Sequence, residues 1–456
     1  MAKGAKKTRT VKKKAAAATT ATAASRAAPR TAYVNARLID PASGLDAPGG
    51  LLSEDGLIAD FGSGLFADGA PENAETIDCR GRVLAPGLVD MRVRLRDPGH
   101  EHREATVSAA AGGITTIIVL PDTDPVIDNV ALVEFIGRRA GEAGLINIYP
   151  MAALTQGLEG KEITEMGLMS EAGAVAFGDG VSSIDDSLVM RRALSYASSF
   201  GLLIVQRPED NSLASDGVMN EGEIATRLGL AGIPNAAETI CLERDIRLLE
   251  LTGGRYHASL LSTADSVDVV RRAKARGLNV TCDTAPPYFA LNEIAVGDYR
   301  TFARLSPPLR CEEDRRAVVE GIEDGTIDAI VSDHAPHHQD SKRQPFAQAE
   351  SGAVGLETLL AVALDLTRES SLSLSGMLGK VTCVPADILG LDTGRLRKGA
   401  AADLVIFDAD APWKIDADRL LSKSKNTPFD GKLAQGRVVR SVISGHTVFH
   451  ASDLDA

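Results

Sequence analysis

The 456-residue chain contains few aromatic residues, no long apolar run and no paired-cysteine motif. Phe, Tyr and Trp make up 4% of the residues, so a surface on which nucleic-acid bases stack is not expected. The longest apolar stretches, such as residues 114–120, are far shorter than the roughly 18 residues that a membrane-spanning helix needs. We therefore expect neither an integral membrane protein nor a protein that recognises a specific nucleic acid.

The cysteines are few and isolated. There are five of them, and none has the Cys-x-x-Cys spacing of a zinc ribbon or a redox centre. An odd number of scattered cysteines does not suggest a disulfide framework. The pattern predicts buried thiols in a reducing cytoplasm.

Charge is distributed unevenly along the chain. Residues 1–30 contain nine Lys or Arg and no acidic residue, although the whole chain carries a formal charge of -13. This Lys/Ala/Thr-rich stretch lacks the apolar core of a secretory signal, and Val11 is its one large aliphatic residue. We predict a disordered basic tail over residues 1–31, with a transit peptide or a docking arm as alternatives.

Three zones follow the tail. In residues 32–85 and 395–450, short strand-like pieces alternate with Gly, Asp and Pro, and the two flanks are predicted to form one small composite β domain. Between them, residues 86–394 alternate strand-like runs with amphipathic helices. Eight strand candidates begin near Leu88, Thr115, Ile146, Ala174, Leu202, Tyr256, Leu278 and Ile327. Eight β/α units in about 300 residues predict an α/β fold with a (β/α)8 TIM barrel.

Charged residues lie where two of these strands end. Residues 88–96 alternate, so that Arg92, Arg94 and Arg96 share one face of the first strand. Because like charges about 7 Å apart repel, we expect carboxylates or an anionic ligand beside this face, with a face that is simply solvated as the alternative. The last strand runs into residues 333–338, whose carboxylate and imidazoles are compatible with a metal site, an acid–base site or a polar strand cap.

A series of motifs extends along the chain. They are Pro86-Gly87-Leu88-Val89-Asp90, Leu95-Arg96-Asp97-Pro98-Gly99, Gly157-Leu158-Glu159-Gly160-Lys161-Glu162, Gly217-Val218-Met219-Asn220-Glu221-Gly222, Pro307-Pro308-Leu309-Arg310, Asp333-His334-Ala335-Pro336-His337 and Gly355-Leu356-Glu357-Thr358. Together they resemble the motifs of dihydroorotase, a zinc-dependent cyclic amidohydrolase of pyrimidine biosynthesis in the amidohydrolase superfamily. The resemblance covers residues 32–450 and implies a TIM barrel with a composite β domain.

The resemblance also locates the family's metal-binding positions, and most of them are altered. They correspond to Arg92, Arg94, Asp179, Arg207, Leu260 and Asp333, of which the arginines and the leucine replace histidines. Arginine stays protonated and offers no lone pair to a metal, and leucine has no ligand atom. Without zinc, the pKa of a water molecule returns from about 7 towards 15.7. We therefore predict no bound cofactor and no catalytic residue, with Asp333 as a vestige of the site.

The resemblance further implies four positions on the substrate side. Arg96 and His337 match family residues that contact the substrate, whereas Asp122 and Ser306 replace asparagines. A carboxylate at position 122 is expected to weaken the binding of an acidic substrate.

The sequence contains two other groups of potential metal ligands. The sequence His100-Glu101-His102 is predicted to lie in an exposed loop after the first strand, away from Asp333. The pair Cys282-Asp283 is predicted to place a buried thiol on a strand rather than a metal ligand.

Three functional hypotheses follow. The first is a catalytically inactive dihydroorotase-like chain, part of an oligomer, that acts as a structural partner of aspartate transcarbamoylase, as the resemblance implies. In it, Arg92, Arg94 and Arg207 are predicted to form ion pairs with Asp179 and Asp333 inside the former metal cavity. The second is a cyclic amidohydrolase that remains active without metal. The third is a sensor that binds a small carboxylate.

Overall fold

The computed structural model describes residues 28–95, 102–143 and 145–454. Within them the strands are β1 (Thr31–Asp40), β2 (Leu45–Glu54), β3 (Leu57–Gly62), β4 (Glu75–Asp78), β5 (Val83–Pro86), β6 (Leu88–Val93), β7 (Ile114–Val119), β8 (Asn147–Ala152), β9 (Ala176–Phe177), β10 (Leu203–Gln206), β11 (Met219–Asn220), β12 (Gly232–Ile233), β13 (Arg255–Ala258), β14 (Val280–Thr284), β15 (Ala329–Ile330), β16 (Leu404–Lys414), β17 (Leu433–Ile443) and β18 (His446–His450).

The described α-helices lie mainly between the strands of the central segment. They are α1 (His102–Ala111), α2 (Val130–Ala143), α3 (Met166–Glu171), α4 (Ser187–Phe200), α5 (Asn211–Ala214), α6 (Glu223–Leu228), α7 (Ala236–Thr252), α8 (Ala264–Ala275), α9 (Pro286–Ala290), α10 (Glu312–Glu323), α11 (Gln339–Lys342), α12 (Leu359–Glu369), α13 (Leu374–Lys380) and α14 (Cys383–Leu389). Short 3-10 helices lie at Gln156–Leu158, Glu293–Val296, Thr301–Ala303, Ala417–Arg419 and Ala451–Leu454. No described helix combines the length and the apolar character that a membrane crossing requires.

Eight strands form a barrel in the order β15-β14-β13-β10-β9-β8-β7-β6, and each pairs with its neighbour in parallel. A parallel bridge between Val93 and His334 joins the two ends of this order. The backbone N–H of Arg94 donates to the carbonyl of His334 at 2.9 Å. All eight strands begin within two residues of their predicted starts. The predicted (β/α)8 TIM barrel is therefore confirmed.

A second sheet is built from both ends of the central segment. Its order is β18-β17-β16-β5-β1-β2-β3, with β4 paired to β1. The two flanks meet where β16 pairs antiparallel with β5, and this pairing confirms the predicted composite β domain. The strand β1 begins at Thr31, which is the last residue assigned to the tail. Residues 1–27, on which the prediction of a disordered tail rests, lie outside the described residues.

The core fills both parts of the fold. The largest apolar cluster connects the strands and helices of the barrel to β16, β17 and β18. The five cysteines carry free thiols, and four of them are buried. They therefore act as small apolar side chains rather than as covalent links.

Gly87 is the single residue that connects β5 of the β domain to β6 of the barrel. Its N–H donates to the carbonyl of Asp403 at 3.0 Å. A Cβ atom at this position would lie 2.0 Å from Cγ2 of Thr115, a buried and β-branched side chain that cannot readily move away. The close approach of the two domains therefore requires glycine here.

We predict that Gly87→Ala lowers the free energy of unfolding by about 1–3 kcal/mol, because the added methyl group overpacks the junction. The matched control is Gly137→Ala on α2, where an added Cβ meets no atom within 4 Å. That change is expected to stabilise the protein by roughly 1 kcal/mol through helix propensity. Denaturant unfolding of both variants measures the difference, and equal stabilities would contradict the packing at residue 87.

Candidate functional site

Arg92 lies at the mouth of the barrel, which is the end of the barrel where the carboxyl ends of the parallel strands meet. Its Nε donates to Oδ1 of Asp333 at 2.9 Å, and both of its Nη atoms lie 3.4 Å from the carbonyl oxygen of Gly180. Nη1 also lies 3.4 Å from Oγ of Ser259. These partners follow β15, β9 and β13. A side chain on β6 can reach all three only by crossing the interior of the barrel, and Arg92 is accordingly only 2% exposed.

Asp333 is held close to the end of the last strand. Burial raises the pKa of its carboxyl group, and the positive charges of Arg92 and Arg94 act in the opposite direction. The backbone of Asp333 has a φ of 48°, in the left-handed region that an aspartate adopts more easily than most residues. The predicted ion pair between Arg92 and Asp333 is confirmed.

The other two arginines have partners that were not predicted. Nη2 of Arg94 lies 2.7 Å from Oδ2 of Asp122, which follows the adjacent strand β7. Nη2 of Arg207 lies 2.7 Å from Oε1 of Glu209. The predicted pairing of Arg94 and Arg207 with Asp179 or Asp333 is therefore wrong. Arg94 pairs with a carboxylate that follows the next strand of the barrel. Arg207 pairs with a carboxylate two residues further along the chain.

Arg207 also supports the loops around the mouth of the barrel. Its Nε and Nη2 donate to the carbonyl of Val181 at 2.9 and 2.7 Å, and its Nη1 donates to Oγ of Ser306 at 3.1 Å. Burial of the guanidinium group is thus compensated by a carboxylate, a carbonyl and a hydroxyl group.

Asp179 has no arginine partner among the described residues. Its Oδ1 accepts hydrogen bonds from the backbone N–H groups of Leu154 and Thr155, each at 2.9 Å, and the Thr155 hydroxyl donates to Oδ2. Burial raises the pKa of Asp179. The predicted ion pair of Asp179 is wrong, because the end of the neighbouring strand β8 supplies backbone and hydroxyl donors within reach of this carboxylate.

Leu260 follows β13 and is completely buried. Its φ of 60° is unusual for a branched aliphatic residue, and its N–H donates to Oδ1 of Asp283 at 2.7 Å. Asp283 also accepts a hydrogen bond from Ser259 at 3.2 Å, and its Oδ2 lies 2.9 Å from Nε2 of His257. His257 and Ser259 were not predicted as site residues. Their two-residue spacing along one strand, like that of Arg92 and Arg94, was the available signal.

A second buried carboxylate lies beneath Arg92. Oδ1 of Asp90 accepts from the N–H groups of Arg92 and Ser332 at 3.2 and 3.1 Å. Its Oδ2 has no hydrogen-bond partner among the described residues. Burial raises the pKa of Asp90 to about 7.

The predicted substrate-side residues are engaged with the protein itself. Asp122 pairs with Arg94, and Ser306 accepts from Arg207. The Nε2–H of His337 donates to the carbonyl of Ser351 at 2.8 Å, and this imidazole is buried. Arg96 lies outside the described residues.

A small cavity lies beside Asp333. It is lined by Ser332, Asp333 and Ala353 among others and has a volume of about 10 Å³. This is room for roughly one water molecule. This cavity by itself is therefore too small for a substrate-sized molecule.

The residues at the family's metal positions do not fit a zinc ion. The described residues include no group of three or more His, Cys, Asp or Glu side chains arranged to hold a metal. Oδ1 of Asp333 accepts from a guanidinium group, and both oxygens of Asp179 accept hydrogen bonds. Zinc needs ligands with available lone pairs, and the three arginines provide only donors.

The alternative ligand groups were predicted to lie in a loop and on a strand. His102 is the first residue of α1, so its predicted loop position is wrong, because the helix begins there. His100 and the side chain of His102 lie outside the described residues. Cys282 is fully buried, and its Sγ contacts the carbonyl of Thr326 at 3.2 Å. Burial raises the pKa of this thiol strongly, so the prediction of an inert strand cysteine is confirmed.

Comparison with known proteins agrees with this fold. Residues 81–266 match the Dihydro-orotase-like family model, and residues 344–449 match an Amidohydrolase family model. The chain is 46% identical over 417 residues to a protein of Geobacter metallireducens named dihydroorotase, covering 91% of this chain and 98% of that protein. It is 45% identical over 425 residues to a protein of the same name from Wolbachia sp. subsp. Drosophila simulans, covering 92% and 96%.

Solved structures resemble the chain over a similar length. The L-hydantoinase (dihydropyrimidinase) of Arthrobacter aurescens superimposes with a TM-score of 0.81 at 25% identity, covering 92% of this chain and 96% of that one. The dihydropyrimidinase of Brevibacillus agri gives a TM-score of 0.78 at 20% identity, covering 92% and 95%. At that identity the likeness concerns the fold alone.

We predict that Arg92→Ala lowers the free energy of unfolding by about 3 kcal/mol, because it leaves Asp333, whose side chain is only 16% exposed, without its cation. The matched control is Arg272→Ala on α8, since Arg272 forms an equally short ion pair of 2.8 Å with Asp268 but is 60% exposed. Its loss is expected to cost at most about 1 kcal/mol. Urea unfolding compares the two variants, and an Arg92→Ala protein as stable as Arg272→Ala would refute the role of the buried pair.

Proposed function

Because the chain belongs to the dihydroorotase family of the amidohydrolase superfamily, we propose that it is a non-catalytic member of that family and a structural partner of aspartate transcarbamoylase. The observation that carries the first half of the proposal is the 2.9 Å contact between Nε of Arg92 and Oδ1 of Asp333. A guanidinium group bound to this carboxylate supplies the positive charge that the family obtains from a metal ion.

The residues at the mouth of the barrel support the proposed loss of hydrolytic activity. In the family, a zinc ion lowers the pKa of water, and forming hydroxide at neutral pH without that help costs about 12 kcal/mol more. Neither His334 nor His337 has the properties of a substitute base. Burial lowers the pKa of His334 to about 3, and Nε2 of His337 already donates to the Ser351 carbonyl. We therefore expect no turnover of a cyclic amide.

The intact scaffold supports a role that depends on the surface of the protein. The barrel and the β domain are complete, and the arginines that replace metal ligands have acquired oxygen partners. A barrel that folds without its metal can still present its outer helices and its β domain to another chain. Inactive dihydroorotase-like chains that assemble with aspartate transcarbamoylase provide the precedent for the partner.

The loss of the metal site is tested by elemental analysis and a dihydroorotate hydrolysis assay on one sample, purified without chelators. We expect substoichiometric zinc, no turnover and an unfolding midpoint that EDTA does not change. The Geobacter metallireducens relative, purified in parallel, is the control for the handling of metal and for the assay. One or two metal ions per chain together with turnover would overturn the proposal.

The partner is tested by mixing the protein with the aspartate transcarbamoylase catalytic chain of the same cell and analysing the mixture by size-exclusion chromatography with light scattering. We expect one species whose mass exceeds that of either component. The Geobacter metallireducens relative, mixed with the same catalytic chain, shows whether co-elution is specific to this chain. Separate elution at micromolar concentration would refute the partnership and leave the first half of the proposal unaffected.

A further inference from the structure

Residues 350–354, called the strap here, lie beside the chain that follows the last barrel strand, next to Asp333. Ala353 forms a parallel bridge with His334, and its carbonyl accepts from the N–H of Ala335 at 2.7 Å. Ala353 and Val354 line the small cavity beside Asp333. The strap thus forms one wall of that cavity.

A buried lysine holds the strap from below. Lys342 is 2% exposed, and its Nζ donates to the carbonyls of Glu350 at 2.7 Å, Gly352 at 3.1 Å and Arg304 at 3.4 Å. Its recorded acceptors among the described residues are all backbone carbonyls. Burial lowers the pKa of Lys342 to about 7. The three carbonyls match the three N–H donors that its side chain has when it is protonated.

Further hydrogen bonds connect the strap to its surroundings. The N–H of Gly352 donates to the carbonyl of Arg304 at 3.0 Å, and the N–H of Val354 donates to the carbonyl of Asn426 at 3.1 Å. Nδ2 of Asn426 donates in turn to the carbonyl of Gly352 at 3.0 Å. The strap therefore lies between the loop that contains Arg304 and the segment around Asn426. Residue 352 is a glycine, so no side chain at this position separates the strap from these neighbours.

Glycine is required at the point where the strap is tightest. Gly352 has a φ of 124°, which residues with a side chain rarely adopt. An added Cβ would lie 2.8 Å from Cβ of Ala335 and 3.1 Å from Nε2 of His337. The backbone of the strap can therefore press directly against the chain that follows β15.

We propose that Lys342 is a tethered cation that locks the strap shut over the barrel and so excludes small ligands from its interior. Converging carbonyl oxygens form the kind of environment that holds a free monovalent cation. Here the charge is supplied by a covalently attached side chain, so the strap is held in place without a dissociable ion. The proposal concerns the closure of the barrel and is independent of the partner proposed above.

The competing explanation is that Lys342 only fills space under the strap with its aliphatic stem. Lys342→Met separates the two, because methionine keeps a long unbranched chain and removes the three donors. Lys380→Met is the matched control, since Lys380 is also buried and its Nζ donates to a single carbonyl, that of Ile327, at 2.6 Å. Neither the strap nor Asn426 contacts that lysine through a described hydrogen bond.

The readout is hydrogen exchange of the Gly352 and Val354 amides in the full chain. We expect Lys342→Met to accelerate both by roughly tenfold or more, while Lys380→Met leaves both unchanged. Exchange at the wild-type rate in Lys342→Met would overturn the proposal. If Lys342→Met does not fold, the milder Lys342→Gln, which keeps donors but has no charge, is judged by the same criterion.

A second variant tests the role of the charge directly. Lys342→Ala leaves the three carbonyls without their cation and opens a space where the side chain was. We expect ammonium or potassium ions to slow the exchange of the two strap amides in this variant, and to have no such effect on the wild-type protein. Exchange in Lys342→Ala that is insensitive to both ions would show that charge is not what holds the strap, and would overturn the proposal.

Discussion

The ion pair between the buried Arg92 and the largely buried Asp333 is the interaction on which the mouth of this barrel depends. It connects the first strand to the chain that follows the last one, at the place where the barrel closes through the bridge between Val93 and His334. Burying two charges is costly unless each is fully compensated. Arg92 meets that condition through Asp333 and through the oxygens of Gly180 and Ser259.

The same rule governs the other cations near the mouth of the barrel. Arg207 is compensated by Glu209 and two neutral oxygen atoms, Arg94 by Asp122, and Lys342 by three carbonyls. Side-chain cations thus line the mouth of the barrel. The backbone has positive φ angles there at Leu260 and Asp333.

Much of this arrangement was predictable from the order of residues. Strand starts follow from apolar runs that alternate with helical stretches, and the charged residues at positions 92, 94 and 333 follow those runs directly. The expected Arg92–Asp333 pair formed because opposite charges at the ends of adjacent strands in a closed barrel must meet. The partners of Arg94, Arg207 and Asp179 were not predictable in the same way. Each of these side chains had several acceptors or donors within reach, and the local backbone decided between them.

The sequence by itself determined the barrel and the composite β domain, since these depend on residue type and periodicity, and its motifs indicated the family. It also places arginine or leucine at positions 92, 94, 207 and 260, and neither residue offers a lone pair to a metal. Only the tertiary structure decided which oxygen each buried cation contacts. It also revealed the hydrogen bonds of Asp283 to His257 and Ser259, and the strap held by Lys342. Such contacts join residues that are far apart in the chain or depend on backbone carbonyls. Carbonyl groups are present at every residue, so residue identity alone carries no information about which of them will converge.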